Sequence, residues 1–105
     1  MTVAAQFDET NPMHSAKLCK ALGFTNIVVR LAAPVRDVPG HFVNYWTATY
    51  RGVEYAVQSP PYPEFQRLMI DGIFAKEVNR VMLQLVASDV IPGTPQPDEL
   101  PVGGL

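Results

Sequence analysis

Two runs of alternating side chains flank the dipeptide Arg51-Gly52, and they commit the middle of the chain to an antiparallel hairpin. His41–Tyr50 and Val53–Gln58 are rich in aromatic and β-branched residues, and a two-residue loop between them sets Tyr50 opposite Val53, Ala48 opposite Tyr55 and Trp46 opposite Val57. This register predicts one face of Trp46, Ala48, Tyr50, Val53, Tyr55 and Val57. The other face carries Tyr45, Thr47, Thr49, Glu54, Ala56 and Gln58. An apolar side backed by a more polar one is the pattern of a sheet covered on one side only.

Upstream, Asn11-Pro12 joins a good N-cap to a proline at the first helical position, and Gly23 follows Leu22 as a left-handed stop, so a helix is expected over about 12–22. Leu18 and Leu22 share a face with Ala21 and Met13 near it, while Lys17 and Lys20 mark the wetter side. The run 24–33, with Ile27, Val28, Val29 and Leu31, is too short for a helix and predicts a first strand ended by Pro34. The segment 34–40, PVRDVPG, is a loop.

Downstream, Ser59-Pro60-Pro61-Tyr62-Pro63 cannot continue the ladder, and Pro63-Glu64 suits the start of a helical region over about 63–88. Its apolar residues change face midway. Phe65, Leu68, Met69 and Ile73 form one stripe; Val78, Val81, Met82, Leu85 and Val86 form another, rotated by more than a quarter turn. Two readings follow. In one, the region bends or breaks at Asp71-Gly72 and both halves pack around a single core. In the other, the helix is straight, with its first half on the sheet and its second half on another chain.

The expected fold is therefore α+β: an N-terminal helix, a three-stranded antiparallel sheet and a C-terminal helical region, in the order α-β-β-β-α. Residues 1–10 read as a flexible lead-in, 11–90 as one domain, and 91–105, with four prolines and three glycines, as an extended or disordered tail. A chain of 105 residues that is 48% hydrophobic has enough apolar surface for one core and no room for a second domain. Its net charge of -2 supplies no global attraction to nucleic acid or anionic membranes. Cys19 is the only cysteine, so no intramolecular disulfide can form and a reducing compartment fits best. With no leader-like start and no apolar run near the roughly 20 residues of a membrane span, a cytoplasmic protein is expected.

Conventional catalytic groups do not assemble in this pattern. Two histidines and one cysteine cannot fill a zinc site, and no C-x-x-C or H-x-x-x-H spacing occurs, so neither a metal nor a cofactor is expected. His14 and Cys19 are five apart, about 140° around a helix, and do not present a base and a thiol to one point. His41 near Asp37 has no nucleophile fixed beside it by spacing. No phosphate-binding glycine motif is present. Catalytic residues are accordingly expected to be none.

What remains is surface. Tyr45 and Thr47 on the outer sheet face, Tyr62 in the proline-rich connection, and the second stripe of Val78, Val81, Met82 and Leu85 are the candidate partner-binding residues. They point to a non-enzymatic protein-binding or regulatory module, with a homodimer as one form, a profile shared by small accessory and inhibitor proteins of phages and mobile elements. The alternative is a nucleic-acid-associated domain using Arg30, Arg36 and Arg51 gathered at one end of the sheet. The element order over 12–88, with His41-Phe42 through Tyr50-Arg51-Gly52-Val53-Glu54-Tyr55 as a central hairpin, resembles the double-stranded RNA-binding domain. In that family a small-residue and lysine-rich stretch opens the last helix and grips phosphates; here the corresponding residues are Gln58-Ser59-Pro60-Pro61-Tyr62-Pro63-Glu64-Phe65. No functional residue carries over from the resemblance.

Overall fold

The computed structural model describes residues 7–90, so the tail expected over 91–105 and the first six residues of the lead-in lie outside the described residues. Helix α1 spans Pro12–Ala21, and the Asn11 side chain caps it by accepting the Met13 N–H at 2.9 Å. Four strands follow: β1 (Thr25–Pro34), β2 (His41–Tyr50), β3 (Val53–Gln58) and the short β4 (Tyr62–Pro63). A single 3-10 turn, Glu64–Gln66, leads into helix α2, Arg67–Val90. The α+β fold and its α-β-β-β-α order are thus as expected, with β4 added.

The hairpin has the expected register, with Tyr50 opposite Val53, Ala48 opposite Tyr55 and Trp46 opposite Val57. Arg51 and Gly52 both take positive φ, 51° and 82°, which gives the turn the twist that suits a two-residue hairpin. On its other edge β2 pairs antiparallel with β1. That ladder slips twice, between Thr25 and Val28 and between Arg30 and Ala33, and each slip contains a residue with positive φ, Asn26 and Ala32. The prolines 60 and 61 interrupt the return strand without ending it: the chain comes back to the start of β2, where Phe42 pairs with Tyr62 and His41 with Pro63. Proline spacing concealed this fourth strand.

Both helices lie on the inner face of the sheet. Cys19 of α1 and Phe74, Val78, Val81, Met82 and Leu85 of α2 form one core with Trp46, Ala48, Tyr50, Tyr55 and Val57. On α1 the fully buried residues are Pro12, Ser15 and Cys19, with Leu18 and Leu22 at the core's margin; Met13 and Ala21, expected near that face, point to solvent. The first described residues run beside α2. Asn79 donates from Nδ2 to the Glu9 carbonyl at 3.1 Å, and Thr10 lies over Gly72. None of the helices among the described residues is long and apolar enough to cross a membrane.

Helix α2 corrects both sequence readings of its region. It runs without a break for 24 residues, about 36 Å, straight through Asp71-Gly72. Its core line begins earlier than the second stripe, with Ile70 and Phe74, and continues through Val78, Val81, Met82 and Leu85 at steps of three and four. The half that meets the sheet along its apolar stripe is the second one, not the first.

Candidate functional site

The orientation of the first half of α2 is fixed by a polar knot centred on Asn44. Asn44 occupies an inward position of β2 and is fully buried, so each of its hydrogen-bonding groups needs a partner. Its Oδ1 accepts the Tyr62 hydroxyl at 2.6 Å and the Ala32 N–H at 2.8 Å. Its Nδ2 donates to Asp71 Oδ1 at 2.8 Å. Its backbone N–H donates to Ser59 Oγ, and its carbonyl accepts the Ser59 N–H, both at 2.9 Å. One side chain thereby ties the β1 bulge, β4 and the first turns of α2 to the central strand. Burial, and after it the Asp71 carboxylate, push the Tyr62 phenol above its usual range, so the hydroxyl stays protonated and keeps donating.

Because Asp71 and Ile70 turn toward the sheet, the stripe beginning at Phe65 turns away from it. Phe65, in the 3-10 turn, is 84% exposed, and on the helix that follows Leu68 is 88%, Met69 56% and Ile73 54% exposed. Lys76, Arg80 and Leu83 continue the outward face toward the C-terminus, with Arg80 held by Glu77 and Gln84. These four apolar side chains expose on the order of 500 Å², at the upper end of what a typical monomer shows in one patch.

The residues singled out from sequence separate into three groups. Tyr45 and Thr47 sit on the outer sheet face as expected, half-buried, with Arg30 opposite Tyr45 and Val28 opposite Thr47. Tyr62 does not join them. It is fully buried on the inner side, because its hydroxyl satisfies Asn44. Val78, Val81, Met82 and Leu85 are likewise no partner surface: the sheet takes them up as the centre of the core. The arginines do not gather. Arg36 lies in the β1–β2 loop and Arg51 in the β2–β3 turn, at opposite ends of a ten-residue strand and so roughly 30 Å apart. Arg51 is also engaged with Asp89 at 3.1 Å.

Nucleophiles and bases are dispersed or engaged elsewhere. Burial pushes the Cys19 thiol up to about 11, with the Trp46 indole N–H acting slightly against it, so at neutral pH it is an inert apolar group. His14 Nδ1 accepts the Asp8 N–H at 2.9 Å, and His41 Nδ1 lies 3.4 Å from the Pro39 carbonyl. Among the described residues no group of three or more His, Cys, Asp or Glu side chains is placed to hold a metal ion.

Sequence reading missed Phe65, Leu68, Met69 and Ile73 as surface because their spacing alone looks like a core stripe. The signal that would have found them is Asn44. An amide at an inward strand position needs a polar partner from the covering helix, and Asp71 is the acid at the right end of α2; once Asp71 faces inward, Met69 and Ile73, each two positions away, cannot. No protein-family model, curated protein or solved structure matches the chain.

Proposed function

We propose that this chain is a non-catalytic protein-binding module whose contact surface is the outward stripe of the 3-10 turn and the first half of α2, Phe65, Leu68, Met69 and Ile73, and which acts by occupying its partner's surface. The observation that carries this reading is the exposure of these four side chains on a rigid element. At roughly 25 cal/mol per Å², covering about 500 Å² releases on the order of 10 kcal/mol, before the costs of association are subtracted. The polar knot holds the helix in place beforehand, so little ordering is spent on binding. The outer sheet face around Tyr45 and Thr47 is more polar and serves as the secondary contact region. A single buried thiol suits action in the cytoplasm. The nucleic-acid alternative has no cationic stripe to support it, since Arg36 and Arg51 lie at opposite ends of the sheet.

Photo-cross-linking in the native cell tests the proposal. A benzophenone side chain at position 68 should capture a protein, whether a different one or another copy of this chain, whereas the same group at the exposed position 17 of α1 should capture little. Equal capture from both positions, or none from 68, overturns the reading.

A further inference from the structure

One line along α2 carries its chemistry in a definite order. Met69, Ile73, Lys76, Arg80 and Leu83 are all exposed and, at 100° per residue, lie within about 40° of a common line. Followed from Leu83 toward the start of the helix, that line passes two cations and then two apolar side chains. Leu68 stands about 100° to one side of Met69 and is not part of it. Arg80 is held by Glu77, whereas Lys76 forms none of the ion pairs among the described residues. The sequence beyond Val90 has the complementary order: Asp98-Glu99, then Leu100 and Val102. Its length agrees as well. Glu99 is nine residues past Val90, a reach of about 28 Å at the roughly 3.1 Å per residue of proline-rich chain; Lys76 is fourteen helical residues back from Val90, about 21 Å. The surplus of about 7 Å leaves roughly two residues for turning back, and Gly93 is placed where that turn falls. With Glu99 set on Lys76, Leu100 comes about 3 Å and Val102 about 9 Å further along, against about 4.5 Å for Ile73 and about 10.5 Å for Met69. A tether this short gives an effective concentration on the order of millimolar, so a contact with a Kd of about a millimolar is half formed.

We infer, building on the stripe's role as a contact surface, that the segment Asp98–Val102 folds back along α2 of its own chain, with Glu99 on Lys76 and Leu100 and Val102 on Ile73 and Met69, so that a partner must displace it. Nuclear magnetic resonance of the full chain with a nitroxide at position 102, introduced as Val102→Cys, tests this; Cys19 is buried and does not compete for the label. The label should broaden the amide signals of Met69, Ile73 and Lys76 by about half or more, equally at low and high protein concentration, and leave those of Tyr45 and Thr47 on the outer sheet face sharp. Lys76→Glu should remove most of that broadening, and Glu99→Lys in the same chain should restore it. Glu99→Lys alone should raise capture from position 68 about twofold, because the stripe is then open in every molecule. Sharp signals at Met69 and Ile73, broadening indifferent to Lys76→Glu, broadening that fades on dilution, or unchanged capture with Glu99→Lys overturns the inference. If those signals stay sharp while position 68 still captures a protein, the fold-back is wrong and the contact surface stands. Charge-dependent broadening without any capture from position 68 keeps the fold-back and removes the partner.

Discussion

The two halves of α2 share one helix and a similar proportion of apolar residues, yet one half is core and the other is surface. From Phe74 to Leu85 the helix lays its apolar line on Trp46, Ala48, Tyr55 and Val57. From Arg67 to Ile73 it is held chiefly through Asp71 and Ile70, and the larger apolar stripe, begun by Phe65 in the preceding turn, faces water. The difference teaches that on a rigid helix a single polar anchor sets the rotation for every neighbour. At 100° per residue, fixing Asp71 inward fixes Met69 and Ile73 outward, whatever their hydrophobicity.

The sharpest way to break this comparison is to truncate one side chain in each half. Phe74→Ala removes a fully enclosed ring and is expected to cost about 3–5 kcal/mol in urea unfolding. Leu68→Ala, at protein concentrations too low for association, should change stability by less than about 0.5 kcal/mol. Comparable losses at the two positions would mean that the first half is covered in solution and the contrast is false.

The second expected effect concerns the anchor itself. Asn44→Ala leaves the Tyr62 hydroxyl, the Ala32 N–H and Asp71 Oδ1 each short of a buried partner, and should destabilise by about 3 kcal/mol. Tyr62→Phe removes only one donor from an oxygen that keeps Ala32, and should cost about 1 kcal/mol by the same unfolding measurement. If Asn44→Ala costs no more than Tyr62→Phe, the knot does not organise the first half of α2.

The hairpin was readable from sequence because strand alternation is a local property: residues 41–58 carry both the period and the turn, so register followed without knowledge of the rest. The N-terminal helix was readable from its cap and stop for the same reason. The rotation of α2 was not, because it depends on Asn44 and Asp71, 27 residues apart and joined by one hydrogen bond at 2.8 Å. Grouping Ile73 with Met69 and starting the second stripe at Val78 left out Ile70 and Phe74, which link the inward line into one continuous series. The partner-binding role expected of Val78, Val81, Met82 and Leu85 failed at this point. Tyr62 failed differently: prolines on both sides marked it as an exposed connection, whereas β4 buries it against Phe42 and Asn44.

Gly72 gives a smaller effect than the anchor, and its sign tests the continuity of α2. Glycine inside a helix costs roughly 0.5–1 kcal/mol relative to alanine, because the unfolded chain has more freedom to lose. A methyl group built at position 72 would meet only Thr10, at 3.6 Å from its Cβ and 4.0 Å from Cγ2, which is ordinary contact. With a continuous helix, Gly72→Ala should therefore stabilise the protein by about 0.5–1 kcal/mol and raise the thermal midpoint by a few degrees. A bend at the same residue predicts the opposite. There the glycine's freedom would be in use, and alanine would be neutral or harmful. A lowered midpoint for Gly72→Ala would accordingly free the first stripe from the rotation that Asp71 imposes, and with it the geometry that turns Phe65, Leu68, Met69 and Ile73 toward a partner.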